Sequence, residues 1–226
     1  MVATRRHFQF TADAFRRALD AGVFRDPDAM QFAGGMIYDA PVGGEVPRPH
    51  HFTVDEYQQM GAVGILKTSD RIELPEGEIV GKPVLGPRHE RCAMQLSRLA
   101  HRAVPDDLFV GVQAAIRLAD DTAPEPDVFV TREWNFPHTN PTASDVLLII
   151  AVADSSIRED RAEKLPRYAR AGIPEAWLVE LMTDTVERHT DPHDGQYRQI
   201  TAARPGEILA SVVVPALAIP VAEILR

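Results

Sequence analysis

Carboxylates, imidazoles and ammonium groups are what a protein uses to move protons or hold cations, and in this sequence they stand where predicted strands or helices begin or end. "LLIIAVADSS" (147–156) is an unbroken apolar run that meets Asp154, Ser155 and Ser156. So short a run reads as a strand buried on both faces, and the polar end of such a strand is where open α/β sheets place their chemistry. Asp127 heads a second strand in "PEPDVFV", where its place after Pro126 keeps the chain extended and gives the carboxylate a fixed direction. The plain alternative is a solvated acid beside a turn. Glu73 and Glu78 fall on a predicted hairpin, whose alternating solvent face accounts for acids equally well. His89 lies on the inward side of a helix's first turn, either as a core histidine bonded to backbone or as a site residue. Arg161 and Lys164 lie on the helix after the buried strand, where charges are usually surface residues. Ala151 is the anomaly, a small side chain in an otherwise bulky strand just before the polar cluster.

The elements that must position these residues alternate. The pattern predicts a helix at 54–61 and a hairpin at 70–84 turning at Glu76-Gly77. Pro87 opens a helix of 88–104 with an inward stripe of His89, Cys92, Ala93, Leu96, Leu99 and Ala103. Strands follow at 108–118 and 126–131, with "ADDTAPEP" turning between them. The buried strand, 146–153, precedes a helix at 158–171 that Gly172 and Pro174 end, and Pro166 inside it implies a late start or a kink. "EAWLVEL", "TVERHT" and "QYRQIT" then form a meander turning at Thr183-Asp184 and Asp194-Gly195. The fold class is α/β, a mixed α+β sheet flanked by helices.

The first hundred residues contain a repeat. Residues 10–39 align without gaps on 52–81, with Phe, Thr, Asp, Gly, Asp, Gly and Ile coinciding at 10/52, 11/53, 13/55, 22/64, 28/70, 35/77 and 37/79. Each copy reads as a helix capped by threonine (Thr11, Thr53), a glycine stop, then strand, turn and strand. The second copy has Glu73, Glu76 and Glu78 where the first has Gln31, Gly34 and Met36. "APVGGEVPRPHH" (40–51) reads as a linker. The expected division is therefore an N-terminal extension, 1–51, before a main domain, 52–226.

Composition excludes several classes. At 226 residues, 45% hydrophobic and 25% charged, the chain has the makings of one ordinary globular core. No apolar stretch approaches the roughly 20 residues of a membrane helix, and "MVATRRHFQF" lacks a signal peptide's apolar region, so no membrane partner and a cytoplasmic location are expected. The single cysteine, Cys92, forms no disulfide or zinc-binding spacing. Formal net charge is −9, from 24 basic against 33 acidic residues. That balance counts against broad electrostatic binding to nucleic acid but leaves room for a local basic cleft.

The order of the segments "RIELPEGEIV", "GPRHERC", "PEPDVFV", "AVADSSIREDRAEKLPRYARAGIPEAWLVEL" and "HDGQYRQI" closely resembles the Uma family of restriction endonucleases, a branch of the PD-(D/E)XK nuclease superfamily, over about 52–201. The resemblance implies a restriction endonuclease-like core with a C-terminal antiparallel meander. It also implies an Mg²⁺- or Mn²⁺-dependent hydrolase acting on double-stranded DNA. Hard oxygen ligands would hold a hard cation that polarises the phosphate and acidifies the attacking water, with a lysine steadying the developing charge. Carried over by motif, Asp127 is the aspartate of the PD element and a metal ligand, Lys164 the lysine, Glu73 or Glu78 the hairpin acid with Glu78 as second metal ligand, and His89 the histidine opening the next helix.

One position departs from the pattern. Where the family reads "IEVADSS" this chain reads "IAVADSS", so Ala151 stands at the place of a metal-binding glutamate. A methyl group cannot coordinate a cation, and alternation turns Asp154 to the opposite face, so it is a poor substitute. Three readings follow. The first is a nuclease, active or weakened, with a basic cleft of Arg88, Arg91, Arg161 and Lys164. The second is a non-catalytic module binding nucleic acid or protein. The third is a structural protein or homodimer.

Overall fold

Thr11 and Thr53 open two nine-residue helices, α1 (Ala12–Asp20) and α2 (Val54–Ala62). The hydroxyl of Thr11 accepts the N–H of Ala14, and Thr53 forms a full capping box with Glu56. The structure is a computed structural model that describes residues 6–41, 45–133, 139–154 and 157–226, with Glu159 described by its backbone alone. Each helix stops at a glycine of positive φ, Gly22 and Gly64, then passes through a 3₁₀ turn into a hairpin. The first hairpin joins β1 (Met30–Ala33) to β2 (Met36–Asp39), and β2 also pairs with β3 (Arg48–Pro49). The second joins β4 (Ile72–Glu73) to β5 (Val80–Gly81) and turns, as expected, at Glu76-Gly77, both of positive φ.

The repeat seen in the sequence is thus a repeat in space. Met30 pairs with Asp39 as Ile72 pairs with Gly81, each partner forty-two residues on. The two copies also exchange reciprocal bonds. The N–H of His50 reaches the carbonyl of Ile37, and that of Phe8 the carbonyl of Ile79. Arg17 caps α2 at the carbonyl of Val63 with a side-chain bond of 2.7 Å, while Gln59 caps α1 at that of Ala21 with one of 2.9 Å. Phe10 and Phe52, equivalent residues, stack with centroids 5.7 Å apart. An approximate twofold axis inside one chain produces these pairings, and they close one apolar core including Phe10, Phe24, Ile37, Phe52, Met60 and Leu74. Residues 119–124 join that core through Ala123, so the first compact unit is 1–83 with 119–124 and the second is 84–118 with 125–226. The boundary expected at residue 51 cuts between the copies, whereas compactness keeps them together because they share a core.

The second unit holds α3 (Pro87–Ala103) and a six-stranded mixed sheet in the order β11-β10-β9-β8-β7-β6. The strands are β6 (Phe109–Val112), β7 (Val128–Thr131), β8 (Val146–Ala153), β9 (Glu175–Glu180), β10 (Thr185–His193) and β11 (Gln196–Ala203). Neighbours are antiparallel except β8 and β9. A βαβ connection joins that parallel pair, and every residue of β8 is buried, the property that made its sequence an unbroken apolar run. A small hairpin of β12 (Ile208–Ala210) and β13 (Ala218–Pro220) and the short α6 (Val221–Ile224) complete the unit.

β8 has two covered faces. Leu148, Ile150 and Val152 meet Cys92, Leu96 and Leu99 of α3, together with Leu217 and Ile219. Ile149, Ala151 and Ala153 meet Phe129, Leu165 and Tyr168. The crossover helix is not continuous. α4 (Ile157–Glu159) passes through a π-helical turn, Asp160–Lys164, into α5 (Leu165–Arg170). Pro166 explains the break, since its ring cannot donate an N–H and crowds the preceding turn, which widens to accommodate it. The helix ends at Gly172, with the N–H of Ile173 returning to the carbonyl of Tyr168. Among the described residues no helix is long and apolar enough to cross a membrane.

Two expectations needed correction. The strand predicted at 108–118 is only four residues long, ending at Val112. "ADDTAPEP" is not merely a turn between neighbouring strands, because its first six residues cross the β4–β5 hairpin, where the N–H of Ala123 bonds the carbonyl of Leu74.

Candidate functional site

β7 and β8 bring Asp127 and Ala151 together. Val128 pairs with Ile150, and one more step of that antiparallel register sets Asp127 opposite Ala151. The Asp127 carboxylate does not reach for solvent. Its Oδ2 accepts the main-chain N–H of Val152 at 2.8 Å, a donor left over because β7 stops short of the position opposite Val152. Its Oδ1 lies 3.5 Å from Nε2 of His89, an electrostatic contact rather than a hydrogen bond.

His89 is placed by α3, whose second residue is Arg88 and whose first turn turns inward. Its ring is buried, and its Nδ1 finds no hydrogen-bond partner among the described residues. Burial pushes the imidazole toward its neutral form, but the Asp127 carboxylate outweighs that and raises its pKa above the ordinary value, with the charge of Lys164 opposing. Cys92, one turn further along α3, is no nucleophile. Burial pushes its thiol up to about 12, and its Sγ meets the carbonyl of Ile224.

Lys164 ends the π-helical turn and pairs with Asp160, whose side chain is fully buried. The sequence reading overlooked Asp160, although its i,i+4 spacing to Lys164 on a helical segment was the available signal. It also overlooked Glu180 and Glu187. Glu180 stands opposite Thr185, two residues from Glu187 on the same face, and both acids grip Arg161 at 3.0 and 2.7 Å. Burial raises Glu187, yet Arg161 and His189 together bring its pKa below the usual carboxylate value. Arg88 pairs with Asp184 at 3.0 Å. Three of the four residues expected to line a basic cleft are therefore in ion pairs, because carboxylates from β9, β10, the turn between them and the crossover segment meet them.

The structure thus gathers Asp127, His89 and Lys164 around the end of β8. Glu73, half-buried on β4, and Glu78, exposed beside the β4–β5 turn, belong to the first compact unit. Asp154 comes up on the α3 side, where its Oδ2 lies 3.8 Å from the position a Cβ on Gly86 would take, and so stands away from the face of Ala151. Among the described residues no three His, Cys, Asp or Glu side chains are grouped to hold a metal ion. The donor set at β7 and β8 does not fit a divalent cation as it stands, since Asp127 already accepts a main-chain N–H and a methyl group stands beside it where a second carboxylate is needed.

Comparison with known proteins agrees with this scaffold. The solved structure of "a putative nuclease belonging to DUF820" from Anabaena variabilis ATCC 29413 superposes with a TM-score of 0.59 at 14% identity, covering 77% of this chain and 97% of that one. At that identity the likeness establishes the fold. No curated protein matches the chain. The model of the Uma2 family, described as "Putative restriction endonuclease", matches residues 54–222. A match over that much of the sequence makes this chain a member of the Uma2 family.

Proposed function

We propose that the protein keeps the scaffold of a metal-dependent DNA phosphodiester hydrolase whose metal centre is incomplete, so that it cleaves DNA weakly or not at all. The observation carrying this reading is the side-by-side placement of Asp127 and Ala151, one acid and one methyl group where the family resemblance implies two acids. Loss of one of about two carboxylates takes away an oxygen ligand and a negative charge together, a severe loss for a weakly held ion such as Mg²⁺. His89 and Lys164 remain as the proton-carrying and charge-stabilising groups of that arrangement, and Asp160 balances the lysine.

Ala151→Glu tests it. Ala151 is 3% exposed and packs with Phe129 and Tyr168, so the variant should lose several kcal/mol in chelator, from crowding and from an unsolvated acid. Mg²⁺ or Mn²⁺ should return part of that stability. Plasmid nicking in Mn²⁺ at low salt should appear in Ala151→Glu and vanish when Asp127→Asn is added. Equal nicking by the parent would show that another acid completes the site. The ion pairs of Arg88, Arg161 and Lys164 favour a second reading, a non-catalytic module that binds a partner or a second copy. No nicking and no metal-dependent stabilisation in any variant would select it.

A further inference from the structure

The duplicated halves of the first unit differ in what covers their hairpins. In the second copy a strap, residues 119–124, lies along β4, the strand of its hairpin that leads out of the 3₁₀ turn. The carbonyl of Asp120 accepts the N–H of Val54 at the start of α2, that of Asp121 accepts the N–H of Gly77 in the turn, and the N–H of Ala123 reaches the carbonyl of Leu74. Thr122 Oγ1 takes the N–H of Glu76, and Asp121 meets His51 at 2.8 Å. Under this strap Val54, Leu74, Pro75 and Gly77 are buried.

The first copy presents the same three backbone groups at Ala12, Phe32 and Gly35. Among the described residues nothing is paired with them as the strap is paired with the second copy. Ala12 and Ala33 are exposed, and Phe32 and Gly35 half-buried, where their counterparts are covered. The backbone beneath is preserved, with Gly35 and Gly77 both at positive φ and Gln9 packed over Gly35 as His51 is over Gly77. β1 is also the edge of its sheet, and "MQFA" carries no charge or proline to discourage an incoming strand.

We propose that this face of the first copy binds an extended segment of a partner protein, added antiparallel to β1, with a small residue over Phe32 and a hydroxyl at the Gly34-Gly35 turn. The strap shows on the same backbone what such an occupant looks like, and main-chain pairing at an open edge is a common mode of peptide capture. Gln9 in place of His51 removes the imidazole that holds Asp121, so the partner needs no acid there.

The probe is a labelled peptide with the strap's own sequence, acetyl-LADDTAPE-amide, titrated into the full chain by fluorescence anisotropy. The second groove is filled by the chain itself, so one peptide should bind per chain. Ala12→Pro deletes one donor at the first position of α1, a place that accepts proline, and should weaken binding about fivefold while circular dichroism stays unchanged. Gln9→His restores the missing partner of the second aspartate and should tighten binding, more at pH 6 than at pH 8. Absence of saturable binding to both parent and Gln9→His, or equal binding to Ala12→Pro, overturns the proposal. So does a dimer in sedimentation that Ala12→Pro dissociates without any peptide binding, which would make a second copy the occupant.

Discussion

Asp127 accepts the main-chain N–H of Val152 at 2.8 Å, and this one bond ties the head of β7 to β8 just past Ala151. The residue is therefore a strand clamp whatever else it does. Asp127→Ala strands a buried N–H and should cost about 1–3 kcal/mol in urea unfolding, whereas Asp127→Asn, whose amide oxygen still accepts, should cost less. A second readout is His89. Burial lowers its pKa and Asp127 raises it more than the Val152 backbone does, so in Asp127→Asn the main raising influence is gone, and the imidazole should titrate below its value in the parent in an NMR titration. An unchanged His89 would show that the 3.5 Å contact carries no coupling.

Gly77 turns the second hairpin at φ +76, and a Cβ there would meet the His51 ring at 2.4 Å. Gly77→Ala imposes left-handed strain of about 1–2 kcal/mol and swings His51 off Asp121. The variant should thus be less stable than Gly206→Ala, where the same strained region is open and nothing lies within 4 Å. In a His51→Ala background the two glycine variants should cost the same, as thermal unfolding would show.

These cases mark what the sequence could and could not reveal. Threonine caps, glycine stops and the alternating pattern fix helices and hairpins locally, so α2, α3 and β8 were predicted within a residue or so of their bounds, and the repeat announced itself through Thr11/Thr53 and Gly35/Gly77. The reciprocal bonds of Arg17 and Gln59 were hidden because they depend on how two copies meet. The strap reads only as a turn in the sequence because its pairing with Leu74 lies some fifty residues away in the chain. At the candidate site, the residue types were legible but the partners that engage them were not. Nothing in the local sequence says that Arg161 ends between Glu180 and Glu187, a meeting that needs the register of β9 on β10.

His50 gives the first unit a pH dependence. Its ring lies between Asp39 and Glu56, edge-on to Phe24 and Phe52. Burial pushes it down, but Glu56 and Asp39 outweigh burial and raise its pKa above 6.5. A raised folded-state pKa contributes stability that is complete below the unfolded value and lost as pH rises through the folded one. Glu56 works in the opposite sense, with its pKa lowered, so its share is lost on acidification below 4.5. Thermal stability of the unit should therefore peak between these limits and fall as pH rises above 6.5. His50→Phe, which installs the aromatic residue found at the equivalent position, Phe8, should remove the alkaline decline. If it leaves the decline intact, another group is responsible.

Glu175 opens β9 with a fully buried side chain, and it has no part in the candidate site. Its Oε1 accepts the indole N–H of Trp177 at 2.6 Å, while Oε2 accepts from Ser211 Oγ and from the N–H groups of Val212 and Val213. One carboxyl group thus satisfies donors of the loop between β12 and β13 and of its own strand. Glu175→Ala leaves the buried indole N–H of Trp177 and the buried Ser211 hydroxyl without their acceptor and opens a cavity beside Trp177, so it should cost about 3–5 kcal/mol. Glu175→Gln is the sharper test. Its amide oxygen can serve either the indole or the loop, and its NH₂ then faces donors on the other side, so the isosteric change should still cost about 2–3 kcal/mol, with no cavity to blame. Urea unfolding gives the energies, and the indole proton shift of Trp177 shows which donor set is abandoned. If Glu175→Gln is neutral and the indole signal unmoved, the carboxyl group is a bystander and apolar packing alone holds the loop.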